Sequence, residues 1–437
     1  MKKKISTILL FLFLFFCVNI FSQQVIDLQT CIEKGLENNF EIKIVRNNQK
    51  ISDNNYSVGN AGMLPSLNLN ATHSGSLNDV TKYPNGEAVF TPGVNNSGID
   101  LGVSLNWTIF DGFRMFANYD KLKELHQKGE LDTRLTVENF VADISAEYYN
   151  FVQQSIRLNN LKSAVRLSRE RLRIVEAQRI SGSKSGLDLL QARVDFNADS
   201  SKLIRQQELL FASRVRLNKL MATDNLEQQQ VPADTSIVFN ALLQKENLWK
   251  DVLQNNTLLL LSANAANISM KDLQLAQSKN YPYIRVSAGY GYTSRNELSA
   301  RQQNTLGMNY NVTLGFNIFD GFNRVREQRN IKLQIENGKF EDEKLRIALQ
   351  SDFANIWNAY RNNLELVALE QENLNAATEN YSIAIYRYKL GDLAGIELRE
   401  AQNSLLEAGE RLVQAQYNTK LCEISLLQIS GQLSIDN

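Results

Sequence analysis

Proline is scarce in this chain, with five in 437 residues; a usual frequency of about 5% would put roughly 20 in such a length. Proline removes a helical donor and clashes with the preceding turn. Its absence from 93–231 and 283–437 therefore leaves two long stretches free to be helical. Histidine is scarcer still. Two residues leave little room for a His-rich metal centre, and three cysteines make neither a disulfide scaffold nor a four-cysteine metal site. Net charge is missing as well: 47 Lys and Arg balance 47 Asp and Glu, which argues against a nucleic-acid binder working through bulk electrostatics. A hydrophobic share of 43% with 22% charged residues excludes a polytopic helical membrane protein. Length alone suggests two or three globular domains of roughly 150 residues.

What is present begins with an export signal. Lys2, Lys3 and Lys4 precede an apolar run from Ile8 to Phe16, and Ile20-Phe21-Ser22-Gln23 follows. These are the charged, apolar and cleavage regions of a secretory signal, which places a signal peptide at 1–22. The run is short for an uncleaved anchor helix. Phe15 and Phe16 stand where a lipoprotein signal has small residues before its cysteine, which argues against lipid attachment at Cys17. Cys31 and Cys422 remain, either paired in an oxidising compartment or as two buried thiols.

The mature chain repeats itself. Ile109-Phe110-Asp111-Gly112-Phe113 recurs 209 residues later as Ile318-Phe319-Asp320-Gly321-Phe322, and the same shift relates Gly182 to Gly391 and Gly186 to Gly395. Upstream, Leu36-Glu37-Asn38-Asn39 pairs with Leu253-Gln254-Asn255-Asn256, and Pro65 with Pro282, at a shift of 217. One change of register, with constant spacing on either side, predicts two copies of one unit at 23–222 and 243–437, joined by a linker at 223–242.

Each copy carries two segments of strict alternation, predicting strands at about 65–77 and 98–110, then about 282–294 and 306–319. Leu101, Val103, Leu105, Trp107 and Ile109 alternate with Gly102, Ser104, Asn106 and Thr108. Leu306, Met308, Tyr310, Val312 and Leu314 alternate with Gly307, Asn309, Asn311 and Thr313. Period two with one apolar face marks β structure, and several runs reach the roughly 9–11 residues of a transmembrane strand. A soluble sandwich is the alternative. The polar set is Asn, Ser, Thr and Gly, however, as in the lumen of an outer-membrane barrel. Single-chain barrels begin at about eight strands, so four strands must close by oligomerising.

The remainder reads as helix. Leu158, Leu161, Val165, Leu172 and Val175 form an a/d-type seam within a helix at about 113–179, and a matching helix occupies about 322–389. At 1.5 Å per residue each reaches roughly 100 Å. Glycine-bearing turns send return helices back over about 186–221 and 395–430. Shorter helices near 28–60 and 243–278 lead into the strands.

In this plan the sequence resembles the outer membrane efflux protein family, of which TolC is typical. The resemblance covers essentially the whole mature chain. It is carried by the doubled helix–strand–strand–helix–helix order, by Phe-Asp-Gly at both strand-to-helix junctions, by the segment at 36–39, and by Tyr388-x-x-Gly391 followed by Glu397-Leu398-x-x-Ala401-Gln402. It implies a mainly α, TolC-like fold with transmembrane β: a homotrimer whose four strands per chain make a 12-stranded barrel, continued by an α-helical periplasmic tunnel. The implied role is the exit duct of a tripartite efflux pump for small molecules such as drugs, or of a type I secretion system. The implied partners are a periplasmic adaptor, an inner-membrane transporter of RND, ABC or MFS type, and outer-membrane lipid. No cofactor and no enzymatic activity are implied.

The candidate sites follow from the same register. Glu397 and Glu400, which share a helix face at i, i+3, match the family's acidic constriction, and rings of carboxylates can narrow and charge a pore. Asp188 and Gln191 are the first-copy counterparts of these two glutamates; Tyr388 matches a tyrosine of the family's interhelical latch, and Leu393 stands where the latch arginine is expected. Solvated helix surface is the bland reading of the two glutamates. The turns bearing Gly182, Ser185 and Gly186, and Gly391, Ala394 and Gly395, are adaptor-docking candidates, though any helical hairpin needs such glycines. Trp107, Phe110, Phe113, Phe319 and Phe322 form either an aromatic girdle or packing below the barrel. Asp111 with Gly112, and Asp320 with Gly321, shape the strand-to-helix turns. His73 and His126 match neither a zinc spacing nor a nucleophile arrangement. An outer-membrane barrel enzyme and a structural coiled coil are rivals; the first lacks a Ser/His or Asp/His site, and the second needs no alternating strands.

Overall fold

The computed structural model describes residues 24–297 and 300–433. The signal at 1–22, Cys17 within it, and part of the loop expected near residues 295–304 lie outside the described residues. In chain order the elements are β1 (Gln24–Ile26), α1 (Leu28–Asn38), α2 (Phe40–Asn55), β2 (Ser66–Lys82), β3 (Val89–Phe110), α3 (Arg114–Ile180), α4 (Gly186–Leu220), β4 (Gln230–Pro232), α5 (Lys245–Asn255), α6 (Thr257–Ser278), β5 (Tyr283–Glu297), β6 (Ala300–Gly315), α7 (Asn323–Leu390) and α8 (Gly395–Ile429). The 67 residues of α3 and 68 of α7 lie within the two proline-free stretches. Each ends at a glycine of positive φ, Gly182 at 77° and Gly391 at 82°.

The chain folds as two compact units, each drawing segments from both halves of the sequence. The first comprises residues up to Val45, Arg134–Thr257 and residues from Ile347 onward; the second comprises Arg46–Thr133 and Leu258–Arg346. The second unit holds β2, β3, β5 and β6 with the adjoining lengths of helix, and the first holds β1, β4 and the remaining helix.

In the first unit, Ile26, Cys31, Leu36 and Ile42 pack on Phe140, Ile144, Tyr148 and Phe151 of α3 and on Leu217 and Met221 at the end of α4. A second core joins Leu248 and Val252 of α5 to Phe353 and Tyr360 of α7 and Leu426 of α8. Cys31, in the first core, and Cys422, against the second, are both unpaired. Burial pushes the Cys31 thiol up to about 12, which keeps it neutral and unreactive. The linker is held to both cores. Tyr148 Oη donates to Asp234 Oδ2 at 2.8 Å, and Tyr360 Oη donates to the Asn240 carbonyl. β4 pairs in parallel with β1.

The leading helices, expected as single segments, break at Asn39 and Asn256. Each asparagine has extended ψ, 129° and 120° respectively, and its side chain is used elsewhere. Asn39 Nδ2 donates to the last carbonyl of α4, Leu220 O, at 3.0 Å, while Asn39 Oδ1 accepts from Glu41 N at 2.8 Å. Asn256 Nδ2 donates to the last carbonyl of α8, Ile429 O, at 2.8 Å. Helix ends leave carbonyls without internal partners. The repeated asparagine supplies that partner, a tertiary demand that local helical periodicity does not reveal.

The second unit holds a four-stranded antiparallel sheet in the order β2-β3-β5-β6. Register aligns the apolar residues in rows: Leu67-Leu105-Ala288-Tyr310, Leu69-Val103-Tyr290-Met308 and Ala71-Leu101-Tyr292-Leu306. The opposite face carries Asn68-Ser104-Gly289-Asn309 and Asn70-Gly102-Gly291-Gly307. At Gly102 a side chain would meet the Gly291 Cα at 3.0 Å, so glycine permits close approach there. The strands depart from the expected limits. β2 and β3 run on to Lys82 and back to Val89, and β5 and β6 to Glu297 and Ala300, because a main-chain ladder continues where side-chain alternation has ceased. At its other end β6 stops at Gly315, leaving 316–319 outside it. Its counterpart β3 persists to Phe110, since β3 has β5 on its far side and β6 has β5 alone as a neighbour.

Asn39→Ala should leave the Leu220 carbonyl without its donor and cost about 1–3 kcal/mol; Asn256→Ala should do the same at Ile429. Helical circular dichroism through a denaturant titration checks this: each midpoint falls and the double variant falls further, whereas unchanged midpoints would remove the clamp from the fold's support.

Candidate functional site

The two helical turns of the first unit are built alike and finished differently. Gly182 and Gly391 supply the left-handed residue that ends a helix, followed by Ser183 N bonding Gln178 O at 2.9 Å and Asp392 N bonding Arg387 O at 3.0 Å. At the start of α4, Ser185 and Asp188 form a reciprocal cap: Asp188 N donates to Ser185 Oγ at 3.2 Å, and Ser185 N donates to Asp188 Oδ2 at 3.0 Å. Hydrogen bonds from the Ser185 side chain and then its backbone hold the Asp188 carboxyl below the ordinary range. At the start of α8, Ala394 has no hydroxyl to offer, and Glu397 Oε2 accepts from Ala394 N at 3.4 Å. Asp188 and Glu397 therefore sit at matching capping positions. Gly186 follows its turn and is exposed, while Gly395 follows the second with the Arg171 side chain 3.3 Å from where a Cβ would stand.

Tyr388 is buried among Val175 of α3, Leu189 and Ala192 of α4, Ala384 of α7, and Leu398 and Ala401 of α8, with Leu393 packed against the same cluster. An aliphatic residue thus occupies the position of the expected latch arginine. Burial raises the Tyr388 phenol, and the Arg171 guanidinium works against that rise. Lys184 Nζ lies 5.8 Å from its ring centroid.

Next to this apolar layer is a cluster of charges that joins α3, α4 and α8. Arg171 Nη1 pairs with Asp195 Oδ2 at 2.8 Å, and Gln191 Nε2 donates to Asp195 Oδ1 at 3.1 Å. Arg399 grips Asp199 in a two-pronged fork, Nη1 to Oδ2 at 2.6 Å and Nη2 to Oδ1 at 2.8 Å. Ser168 Oγ donates to the same carboxylate, and Gln402 Nε2 donates to Ser168 Oγ at 3.0 Å. Asp199 is 0% exposed. A carboxylate without water must be fully paired, and the planar fork of arginine suits that task. Burial pushes the Asp199 carboxyl up, but hydrogen bonds from Arg399 and Ser168, with the Arg399 charge, prevail and hold it below its ordinary 3.8.

The expected gate residues are therefore divided. Tyr388 is buried, Gln191 is itself exposed but donates to Asp195 of the ion cluster, and Asp188 caps a helix, while Glu397 and Glu400 are exposed on α8 outside that cluster. Arg171, Asp195, Asp199, Arg399, Ser168 and Gln402 were missed. Their signal lies in broken repeat symmetry: the positions 209 residues away from Arg171, Asp195, Asp199 and Arg399 hold Asn380, Ser404, Ala408 and Leu190, so the charges belong to one set of helices only.

At the strand-to-helix junctions, Asp111 Oδ1 accepts from Met115 N at 3.1 Å and Asp320 Oδ2 from Arg324 N at 3.0 Å, as caps do. Gly112 and Gly321 have φ of 72° and 70°. Trp107 Nε1 donates to Met63 O at 3.0 Å. Phe110 meets Phe113 edge-on at 5.1 Å, and Phe319 meets Phe322 at 5.4 Å. Among the described residues, no group of three His, Cys, Asp or Glu is placed to hold a metal, and no helix is long and apolar enough to cross a membrane.

Removing one partner of a buried ion pair leaves the other charged in a dry site, so Arg399→Met should destabilise the helical turns by about 3–5 kcal/mol. The sign of its pH dependence follows from the depressed carboxyl. Ionised Asp199, faced by Arg399, Ser168 and Lys202, contributes fully above its ordinary pKa; the contribution is lost as pH falls through its lower folded-state value. Hydrogen exchange at 165–205 should therefore quicken in acid for the parent protein and be fast already at neutral pH for Arg399→Met. Equal protection of both proteins at neutral pH would dismiss the pair as a support.

The chain matches the family profile described as "Outer membrane efflux protein" over residues 31–223 and 248–432. It is 20% identical over 419 residues to outer membrane efflux protein BepC of Brucella suis, covering 92% of this chain and 85% of that one. It is 23% identical over 416 residues to the toluene efflux pump outer membrane protein TtgC of Pseudomonas putida, covering 92% and 82%. Its fold superposes on the solved structure of the outer-membrane channel OprN with a TM-score of 0.77 at 17% identity, covering 93% of this chain and 90% of that one. The chain belongs to the outer membrane efflux protein family, whose members are channels of the outer membrane extending into the periplasm.

Proposed function

We propose that three copies of this chain close a 12-stranded barrel in the outer membrane and continue it as a helical tunnel, forming the exit duct of a tripartite efflux pump. The observation that carries this reading is the sheet of the second unit. It has one face of apolar rows and one of Asn, Ser and Gly, and two outer strands with a single neighbour each. Leu67 and Leu69 on β2, and Met308, Tyr310 and Leu314 on β6, are 70–80% exposed, as lipid-facing residues of a barrel would be. Within hydrocarbon a sheet cannot leave its edges unpaired, and copies of the same sheet are the simplest closure.

Efflux is favoured over type I secretion because the relatives bear names such as toluene efflux pump and cation efflux system; the cargo proposed is small molecules such as drugs. The helical turns present Ile180, Leu187, Leu390 and Ile396 at 67–90% exposure, a surface suited to a periplasmic adaptor that links the duct to an inner-membrane transporter of RND, ABC or MFS type. Glu397 and Glu400, exposed beside the buried ion cluster, are assigned to the pore, where they would form a ring of carboxylates.

Reconstitution into planar bilayers tests the reading. Purified protein should run as a trimer and conduct ions; inserted trimers without conductance would overturn it. Glu397→Gln with Glu400→Gln should weaken block by divalent cations by about tenfold, the equivalent of ~1.4 kcal/mol, and unchanged block would remove both residues from the pore.

A further inference from the structure

The polar face of the second unit's sheet is nearly without charge. Along Ser66–Asn78, Asn96–Thr108, Arg285–Arg295 and Gln303–Thr313, the residues sharing that face are Asn, Ser, Thr, Gly and one Gln, with three exceptions: Asp100, Arg285 and Arg295. Asp100 stands opposite Thr293, two residues from Arg295 on β5, so these charges are diagonal neighbours of opposite sign. Arg285 lies eight residues from Thr293, about 27 Å at the rise of a strand. A Debye length is roughly 8 Å at physiological salt, so Asp100 does not compensate it. The carboxylates of the second strand-to-helix junction are engaged elsewhere, Asp320 with Arg324 and Glu327 with Lys279. Among the described residues, Arg285 is a cation without a counter-charge.

Its guanidinium is nevertheless held in place. Tyr283 stands opposite Gly315, and a side chain at Gly315 would overlap the Tyr283 ring. The glycine thus seats the ring across the strand pair. Arg285, two residues on, lays its guanidinium over that ring, with Cζ 4.6 Å from the centroid, within cation–π range. Its direct cross-strand neighbours are Thr108 on β3 and Thr313 on β6. Asn311 Nδ2 donates to Thr313 Oγ1 at 3.1 Å, which leaves the threonine hydroxyl hydrogen to donate in turn. A cavity of about 360 Å³ opens here, and six of its ten lining residues are polar: Ser66, Asn106, Thr108, Arg285, Ser287 and Thr313. Arg285 is the one charged member, so the cavity favours a negative occupant.

The stack is not a requirement of strand pairing. At the repeat shifts, Tyr283, Arg285 and Gly315 match Ser66, Asn68 and Asn106. The first hairpin makes the same ladder without an aromatic ring, a cation or a glycine at these positions.

Resting on the duct reading above, which turns this face toward the lumen, we propose that Arg285, with the hydroxyls of Thr108 and Thr313, binds organic carboxylates and sulfonates and so selects anionic solutes in the barrel. The planar guanidinium matches two oxygens of such a group with two parallel hydrogen bonds. A halide cannot use that geometry. Each copy of the chain adds one position at the same level, and a ring of arginines favours anions in a pore.

Pyranine, a fluorescent aromatic trisulfonate, serves as the probe. Its anisotropy, titrated against the full chain purified in detergent at low ionic strength, reads binding without a membrane. The parent protein should bind it. Arg285→Gln should weaken binding about tenfold or more, as loss of a charged hydrogen-bonding group does. Arg285→Lys keeps the charge without the fork and should fall between the two. Thr108→Val with Thr313→Val keeps the charge, suits a strand and should weaken binding about threefold. Arg295→Gln should leave binding unchanged, and benzenesulfonate should displace pyranine at lower concentration than chloride does. Absence of binding by the parent, or equal binding by Arg285→Gln, overturns the site. So does an equal loss on Arg295→Gln, which would mark diffuse attraction to any cation. In planar bilayers, pyranine should block the parent and block Arg285→Gln about tenfold less. Channels that conduct while binding and block ignore Arg285 would sink the anion site and leave the duct standing. Binding that depends on Arg285, in protein that inserts and never conducts, would do the reverse.

Discussion

An antiparallel sheet needs every strand paired, and this chain makes a sheet whose two outer strands have one neighbour each. Much of the molecule can be understood from that constraint. In water an open edge risks unwanted pairing, and in hydrocarbon each unmet main-chain group costs several kcal/mol. Four strands of 15–22 residues with an apolar outer face cannot leave those groups unmet in a membrane. The duplicated plan meets this constraint within the chain with identical hairpin registers: Ser66 stands opposite Asn106 and Tyr283 opposite Gly315, each pair related by the repeat shifts of 217 and 209.

The helices solve a different problem, holding long parallel surfaces together with few breaks. Proline scarcity leaves α3 and α7 continuous, and each turn needs one glycine of positive φ. Their cohesion is not uniform. The two cores use equivalent positions with altered volumes. Gly35 is obligatory because a side chain would overlap the Phe140 ring, whereas the positions matching Gly35 and Phe140 carry Val252 and Leu349. A loss of volume on one helix is matched by a gain on the other, which is what close packing requires.

Legibility in the sequence followed the physics of each element. Alternation such as Leu101 to Ile109 is visible because one face is apolar and the other polar, and helical seams such as Leu158 to Val175 because one stripe is buried. The ends of the strands were hidden, since the ladder near Lys82 and Glu297 depends on main-chain bonds that leave no side-chain pattern. Asn39 was visible as a motif, but its use as a clamp on Leu220 O, 181 residues away, was not. The buried charges were the least legible. Arg171, Asp195, Asp199 and Arg399 look like ordinary solvated helix residues until three helices bring them together, and composition gives no hint of which charges are buried. Likewise Glu397 and Glu400 share a helix face as the spacing required, while the arginine between them turns inward.

The departures from symmetry are as informative as the symmetry. The contact that forms within one chain places a buried hydrogen bond between Thr257 and Glu138, a pairing that is costly if half made but safe where covalent connection guarantees the partner. The positions matching Thr257 and Glu138 at the two repeat shifts are Phe40 and Ile347, which are exposed and apolar. The charge cluster follows the same logic, since Asp199 and Arg399 lie 200 residues apart in one chain and never wait for another copy. Buried polar pairs thus lie where the chain itself supplies both partners, and the matching positions elsewhere are apolar.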